Sequence, residues 1–241
     1  MHLGIFLEQV PDGNMAWWQM LASGLGWTLA TAFFAWIMAF VLGSIVGVVR
    51  TTDNTWLIHI GNAYVELFRN IPLIVQFFVW YFVVPGLILT VKHWVVTLDP
   101  TQHQFVTAVI CLGFFTSARI AEQVRSGIQS LSRGQRNAGY ALGLTQTQTY
   151  RYVLLPMAYR IIIPPLTSEV MNLIKNTSVA YSIGLVELFF RTREMAEMTF
   201  RYFDAFTAAT VIYVAIALIA NRMMALIERR LAVPGYIMGG K

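Results

Sequence analysis

The sequence predicts an all-α integral membrane protein, on three observations. Apolar residues make up 57% of the 241, mean hydropathy is +0.60, and only 12% of residues are charged, a composition outside the usage of soluble domains. The apolar residues gather into five runs of roughly the 20 residues that a bilayer core requires. The positive charge gathers between those runs rather than within them.

The runs differ in character. Leu25 to Val49 is charge-free. Ile71 to Ile88 is apolar but interrupted by Pro72, and Gln104 to Val124 is apolar until Arg119 and Glu122. Ile161 to Leu185 carries Pro164, Pro165, Glu169 and Lys175, and Phe206 to Ile227 is the last run. We expect one transmembrane domain over residues 1–241. Before the second run, Trp56 to Phe68 mixes apolar and polar positions and is expected to begin the same helix, broken at Arg69-Asn70-Ile71-Pro72, because proline lacks a donor and disfavours helix at the residue before it. Such breaks are tolerated at membrane depth where they face protein or a water-filled cavity, and broken helices commonly line transport pathways; a kink without a substrate role is the alternative.

Five spans put the two ends on opposite sides. Arg50, the arginines between Glu122 and Glu169, and the tail with Arg222, Arg229, Arg230 and Lys241 share one face, while Glu8, Asp12, the loop with Lys92 and Asp99 and the segment Glu187 to Asp204 share the other. The positive-inside rule then expects the N-terminus outside and the C-terminus in the cytoplasm. The acidic start argues against a cleaved signal peptide. The formal charge of +5 is read as topology and lipid-headgroup contact rather than nucleic-acid binding.

The central loop, Ser132 to Pro156, holds no acidic residue. Ser132 with Gln135 and Thr145 with Gln148 match capping-box spacing, and Gly143 is the residue expected at a left-handed helix stop. Two short helices hinged at Gly143 are predicted. No P-loop motif occurs, so energy must come from another polypeptide. One cysteine, Cys111, and four scattered histidines offer no disulfide or metal set. No Ser-His, Cys-His or HExxH arrangement supports an intramembrane enzyme, and a stand-alone carrier is disfavoured by five spans without an internal repeat.

Charged residues inside spans cost about 2.5 to 3.5 kcal/mol on insertion scales and default to pairs or pathway positions. Arg119, Glu122 and Gln123 fall on one face of the third span. Glu169, Asn172 and Asn176 share an arc of the fourth, with Lys175 close by. Both sets are expected to face the bundle interior. A purely structural alternative pairs Arg119 with Glu122 and uses Glu169 and Lys175 as braces. Gly43-x-x-x-Gly47 permits close helix approach without implying a function.

The series Asn137-Ala138-Gly139, Gly143, nine residues, then Val153-x-Leu155-Pro156 resembles the cytoplasmic signature of ABC importer permeases, EAA, three residues, G, nine residues, I-x-L-P. The stretches YVELFRNIPLIVQFF, ARIAEQVRSGIQSL and SEVMNLIKNTSVAYSIGL resemble the polar amino acid family of these subunits, from Leu25 to Arg230. Among its members the chain is most similar to glutamate/aspartate permease subunits, and the ending Met-Gly-Gly-Lys adds to that likeness.

The resemblance implies a type I importer core whose loop is the coupling helix seated in an ATPase groove, with Asn137, Ala138, Gly139, Gly143, Leu155 and Pro156 as its signature positions. Asn137 stands where the family carries an acid. Gly139 replaces an alanine, at a helical cost of about 1 kcal/mol. The implied partners are a second, paralogous permease subunit, two ATPase subunits that use ATP and magnesium, and a periplasmic solute-binding protein, all at a bacterial inner membrane. This chain itself is expected to bind no cofactor or metal. At position 119 the family usually carries an aromatic residue, so Arg119 is the candidate for recognising a substrate side-chain carboxylate, through bidentate pairing. Glu169 and Asn172 are candidates for the amino-acid backbone groups, and Glu122 completes the candidate set. Glutamine or a basic amino acid is the alternative substrate.

Overall fold

The computed structural model describes residues 3–11 and 15–231; Asp12, Lys241 and the terminal Met-Gly-Gly-Lys lie outside the described residues. Helices dominate, as the composition predicts. A 3-10 turn at Leu3–Leu7 precedes α1 (Trp17–Val49), α2 (Thr55–Asn70), α3 (Leu73–Phe78), α4 (Val84–Leu87), α5 (Leu89–Val96) and α6 (Pro100–Gln129). The loop then gives α7 (Arg133–Ala141) and α8 (Gln146–Thr149), followed by α9 (Leu155–Asn176), a 3-10 segment Thr177–Ile183, α10 (Leu188–Thr199) and α11 (Tyr202–Leu231).

Three helices, α1, α6 and α11, are long and apolar enough to cross a membrane, and α2 with α3 and α4 makes a fourth if taken as one broken span. At 1.5 Å per residue, helices of 30 and 33 residues reach about 45 to 50 Å, beyond the hydrocarbon core of about 30 Å. The predicted fourth span corresponds to α9 and the following 3-10 segment. Its polar and proline content keeps it below the hydropathy of the others. The predicted break is present: α2 ends at Asn70, and Pro72 caps a new helix starting at Leu73. Helix α5, in the stretch with Lys92, was not anticipated from the sequence.

Two π turns recur in one setting. Val79–Val83 is followed by Val84-Pro85, and Tyr150–Leu154 by Leu155-Pro156, with Val84 N–H donating to Val79 and Leu155 N–H to Tyr150. A proline ring clashes with the carbonyl four residues back, and widening the preceding turn by one residue relieves that clash. For this reason the predicted second short helix of the loop does not stand alone but runs through the π turn into α9.

The chain divides into two compact units. The first comprises the described residues of Met1–Met38, Ile71–Gly113 and Asn172–Leu218. Phe77, Leu112, Leu173 and Leu185 centre its main apolar cluster, and Trp17, Met20, Leu188 and Met195 a second. Glu187 is fully buried here and caps α10, accepting from the N–H groups of Phe189 and Phe190 at 2.9 and 2.8 Å and from the Tyr213 hydroxyl at 3.1 Å. The sequence reading placed Glu187 among the loop charges; the structure instead makes it an internal node tying α10 to α11.

The second unit comprises the described residues of Ala39–Asn70, Phe114–Met171 and Ile219–Lys241. Its helices approach closely through glycine. A Cβ on Gly43 would lie 2.7 Å from Ile120 Cβ and from the Ser117 carbonyl, and one on Gly47 2.7 Å from Val124 Cβ. The Gly43-x-x-x-Gly47 spacing therefore sets the contact of α1 with α6, as small residues do between membrane helices.

Candidate functional site

Two groups of predicted residues lie in the second unit, while Asn172 and Lys175 belong to the first. The first lies on α6. Arg119 is exposed, its guanidinium carbon 4.9 Å from the centre of the Phe115 ring, within cation–π range. It does not pair with Glu122. Instead Glu122 Oε1 accepts from Arg50 Nη2 at 2.7 Å and faces Arg69 Nη1 at 3.6 Å, which corrects the Arg119–Glu122 alternative. The reason is positional: Arg50 ends α1 and is carried across α2, where Asn62 Oδ1 accepts from its Nε at 2.8 Å. Gly61 makes room for that passage, since a Cβ there would sit 2.5 Å from Arg50 Cγ.

The two arginines are unequal. The Arg50 side chain is 4% exposed and the Arg69 side chain 52%. The inner pair is therefore short and desolvated, while the outer one is worth at most about 1 kcal/mol. Sequence reasoning counted Arg50 only as a topology charge and gave Arg69 no partner. The single signal available was a span carboxylate, Glu122, in need of a cation.

Next to Glu122 on α6, Gln123 Nε2 donates to Glu169 Oε1 at 3.2 Å, and Glu169 is buried at 8% exposure. Arg119 interacts electrostatically with the same carboxylate. The structure thus brings Arg119, Gln123 and Glu169 together, with Glu122 one turn along α6. Asn172, half-buried, follows Glu169 by one turn of α9. Lys175 is exposed. Among the described residues no group of acidic, histidine or cysteine side chains is arranged to hold a metal.

The second group is the loop. Helix α7 ends as predicted: Gly143 takes φ 76°, Leu144 N–H donates to the Gly139 carbonyl at 3.1 Å and Gly143 N–H to Tyr140 at 2.9 Å, the Schellman pattern. Thr145 and Gln148 form the reciprocal capping box at 3.3 and 2.9 Å. Ser132 takes the N-cap backbone position of α7, but its side chain makes no cap hydrogen bond, so that predicted box is absent; Ser132 lines a pocket instead.

Asn137 and Ala138 are exposed on α7, with Tyr140 and Leu142 also presented outward. Gly139 is buried, and a Cβ there would lie 2.8 Å from Thr149 Cγ2. The glycine in the alanine position thus gives up helix propensity for close packing of α7 on α8. Leu155 is half-buried and Pro156 exposed at the start of α9.

The loop is pinned to the turn after α1. Tyr150 donates its hydroxyl to the Thr51 carbonyl at 2.6 Å, and Gln146 Nε2 donates to Asp53 Oδ2 at 2.9 Å. Arg136 lies 5.8 Å over the Tyr150 ring. A pocket of about 470 Å³ opens beside α7, lined by Thr51, Gln129, Ser132, Arg136, Asn137 and Leu154 among others.

Residues 39–233 match the family described as binding-protein-dependent transport system inner membrane component. The glutamate/aspartate import permease protein GltJ of Escherichia coli, strains K12 and CFT073, is 49% identical over 99% of this chain and 97% of its own length. The glutamate/aspartate import permease protein GltK of strain CFT073 is 30% identical over 88% of this chain and 93% of its own. A crystal structure of an amino acid ABC transporter with histidines has 27% sequence identity and a TM-score of 0.74, covering 89% of this chain and 95% of that one. A membrane-spanning chain without a nucleotide-binding motif, matched over most of its length, belongs to the binding-protein-dependent transport system inner membrane components: it is a non-catalytic, multi-pass permease subunit of an ABC transporter.

Proposed function

We propose that this chain carries an acidic L-amino acid, glutamate or aspartate, into the cytoplasm as one permease subunit of an ATP-driven importer. The observation that carries the reading is the 49% identity to GltJ across both full lengths. The α6 face adds to it: Arg50, Arg69 and Arg119 outnumber Glu122 and Glu169 there, and an excess of fixed cation favours an anionic solute.

In this reading Arg119 takes the substrate side-chain carboxylate, Glu169 and Asn172 take backbone groups, and Glu122 contributes through the two arginines it holds. A five-span core, N-terminus outside and C-terminus in the cytoplasm, alternates its access between the two sides. Its partner is a paralogous permease subunit, consistent with two different glutamate/aspartate permease proteins of one bacterial strain both matching this chain. Two ATPase subunits, using ATP and magnesium, act on α7, and a periplasmic binding protein delivers the solute.

The test is uptake of labelled glutamate, aspartate, glutamine and arginine in cells lacking the gene, complemented with the intact chain or with Arg119→Tyr at equal membrane levels. Acidic uptake restored by the intact chain and lost in the variant supports the reading. Restoration of glutamine or arginine alone assigns another substrate, and full activity of the variant makes Arg119 structural.

A further inference from the structure

The loop that presents α7 is cationic throughout. From Ser132 to Pro156 the chain has three arginines and no acid, and no acid occurs anywhere between Glu122 and Glu169. At position 137, where permeases of this kind usually present a carboxylate, this chain presents an exposed asparagine. Beside it Arg136 and Asn137 together line the pocket of about 470 Å³, whose other polar walls are Thr51, Gln129 and Ser132.

Arg136 is held loosely. Its hydrogen bond to the Tyr150 hydroxyl is long, 3.4 Å, and its ring contact is at 5.8 Å. Asp53, the acid that the structure brings to this loop, is engaged by Gln146 Nε2. A guanidinium with donors to spare, at the mouth of a polar pocket on a basic element, is matched by a carboxylate.

We propose that the ATPase subunit meets this element with an acidic side chain that enters the pocket and pairs with Arg136 next to Asn137, reversing the polarity that an acid at position 137 would impose. The proposal rests on the reading of α7 as the ATPase-docking helix, but not on which amino acid is carried. Asn137 is then the residue that keeps acid from meeting acid. Continuity with the exposed Tyr140 of the same helix and Leu142 at its end gives the contact an apolar neighbour that excludes water.

The experiment is retention of the ATPase subunit on the full complex, purified through this chain at low and at high salt. Asn137→Glu, which restores the family's usual acid at an exposed position one turn after Arg133, leaves the isolated helix intact or slightly favoured. It is expected to lower retention about tenfold relative to Asn137→Ala at low salt, with the difference shrinking as salt screens the repulsion. Arg136→Glu is expected to behave likewise, and Arg136→Lys to keep most of the retention. Retention by Asn137→Glu equal to or above that of Asn137→Ala overturns the proposal, as does wild-type retention by Arg136→Glu. A wild-type complex that holds its ATPase in the expected pattern yet imports no acidic amino acid sinks the substrate reading and leaves this one standing.

Discussion

Glu122 is the residue whose environment departs furthest from what its neighbours in sequence suggest. Its carboxylate is shared by Arg50 at 2.7 Å and Arg69 at 3.6 Å, from two helices that lie more than fifty residues upstream in the chain. The sequence makes the need for a cation legible, because a lone span carboxylate is costly. It does not identify the cation, because Arg119, one turn away, satisfies the helical spacing equally well. The unequal exposure of the two arginines leads to an ordering. Glu122→Gln strands a buried guanidinium and is expected to cost about 3 kcal/mol, whereas Arg69→Gln is expected to stay within about 1 kcal/mol. Thermal unfolding of the solubilised complex checks this, and equal losses for both variants would contradict it. Gly47 carries a second prediction. A methyl added there meets Val124 Cβ at 2.7 Å and the Ala121 carbonyl at 2.9 Å, so Gly47→Ala is expected to lose about 1 to 3 kcal/mol by overpacking, read as a lower unfolding temperature. Gly26→Ala, with open space around the added atom, is the control.

At the scale of elements, the loop from Ser132 to Pro156 shows which signals survive translation into structure. Gly143 and the Thr145–Gln148 box were legible because each is a local device, complete within four to six residues. Ser132 was not, although its spacing is the same, because its side chain lines a pocket formed with Thr51 and Leu154, residues no local pattern connects to it. Gly139 looked like a weakness by propensity alone and is a packing requirement once Thr149 is seen against it. Gly143→Ala, forced to hold φ 76°, is expected to destabilise the turn by about 1 to 2 kcal/mol. In the assembled importer this should lower uptake per ATP hydrolysed more than it lowers the amount of complex in the membrane. A matched fall in both would assign Gly143 to assembly alone. The π turns before Pro85 and Pro156 were also invisible in the sequence.

For the whole molecule, the class was legible because hydropathy is a property of long segments, and the long helices α1, α6 and α11 coincide with apolar runs. The parts that were not legible are those where polar residues and prolines dilute an apolar stretch. The start of helix α9 is one: it begins at Leu155, six residues before the predicted Ile161, and Pro164 and Pro165 lie within its 22 residues without ending it. Helix α5 is another, short and read as loop. The ion network of α6 gives the chain more fixed cation than anion where α1, α2, α6 and α9 supply side chains to the second unit, and this is the physical content of the acidic-substrate claim. The most direct measurement is uptake of labelled glutamate by vesicles containing the purified importer with its binding protein, with ATP and with a non-hydrolysable analogue, in the presence of excess unlabelled aspartate or glutamine. The account predicts ATP-dependent accumulation that aspartate suppresses and glutamine does not. Accumulation that glutamine suppresses and aspartate leaves untouched, or none that depends on ATP, would contradict it.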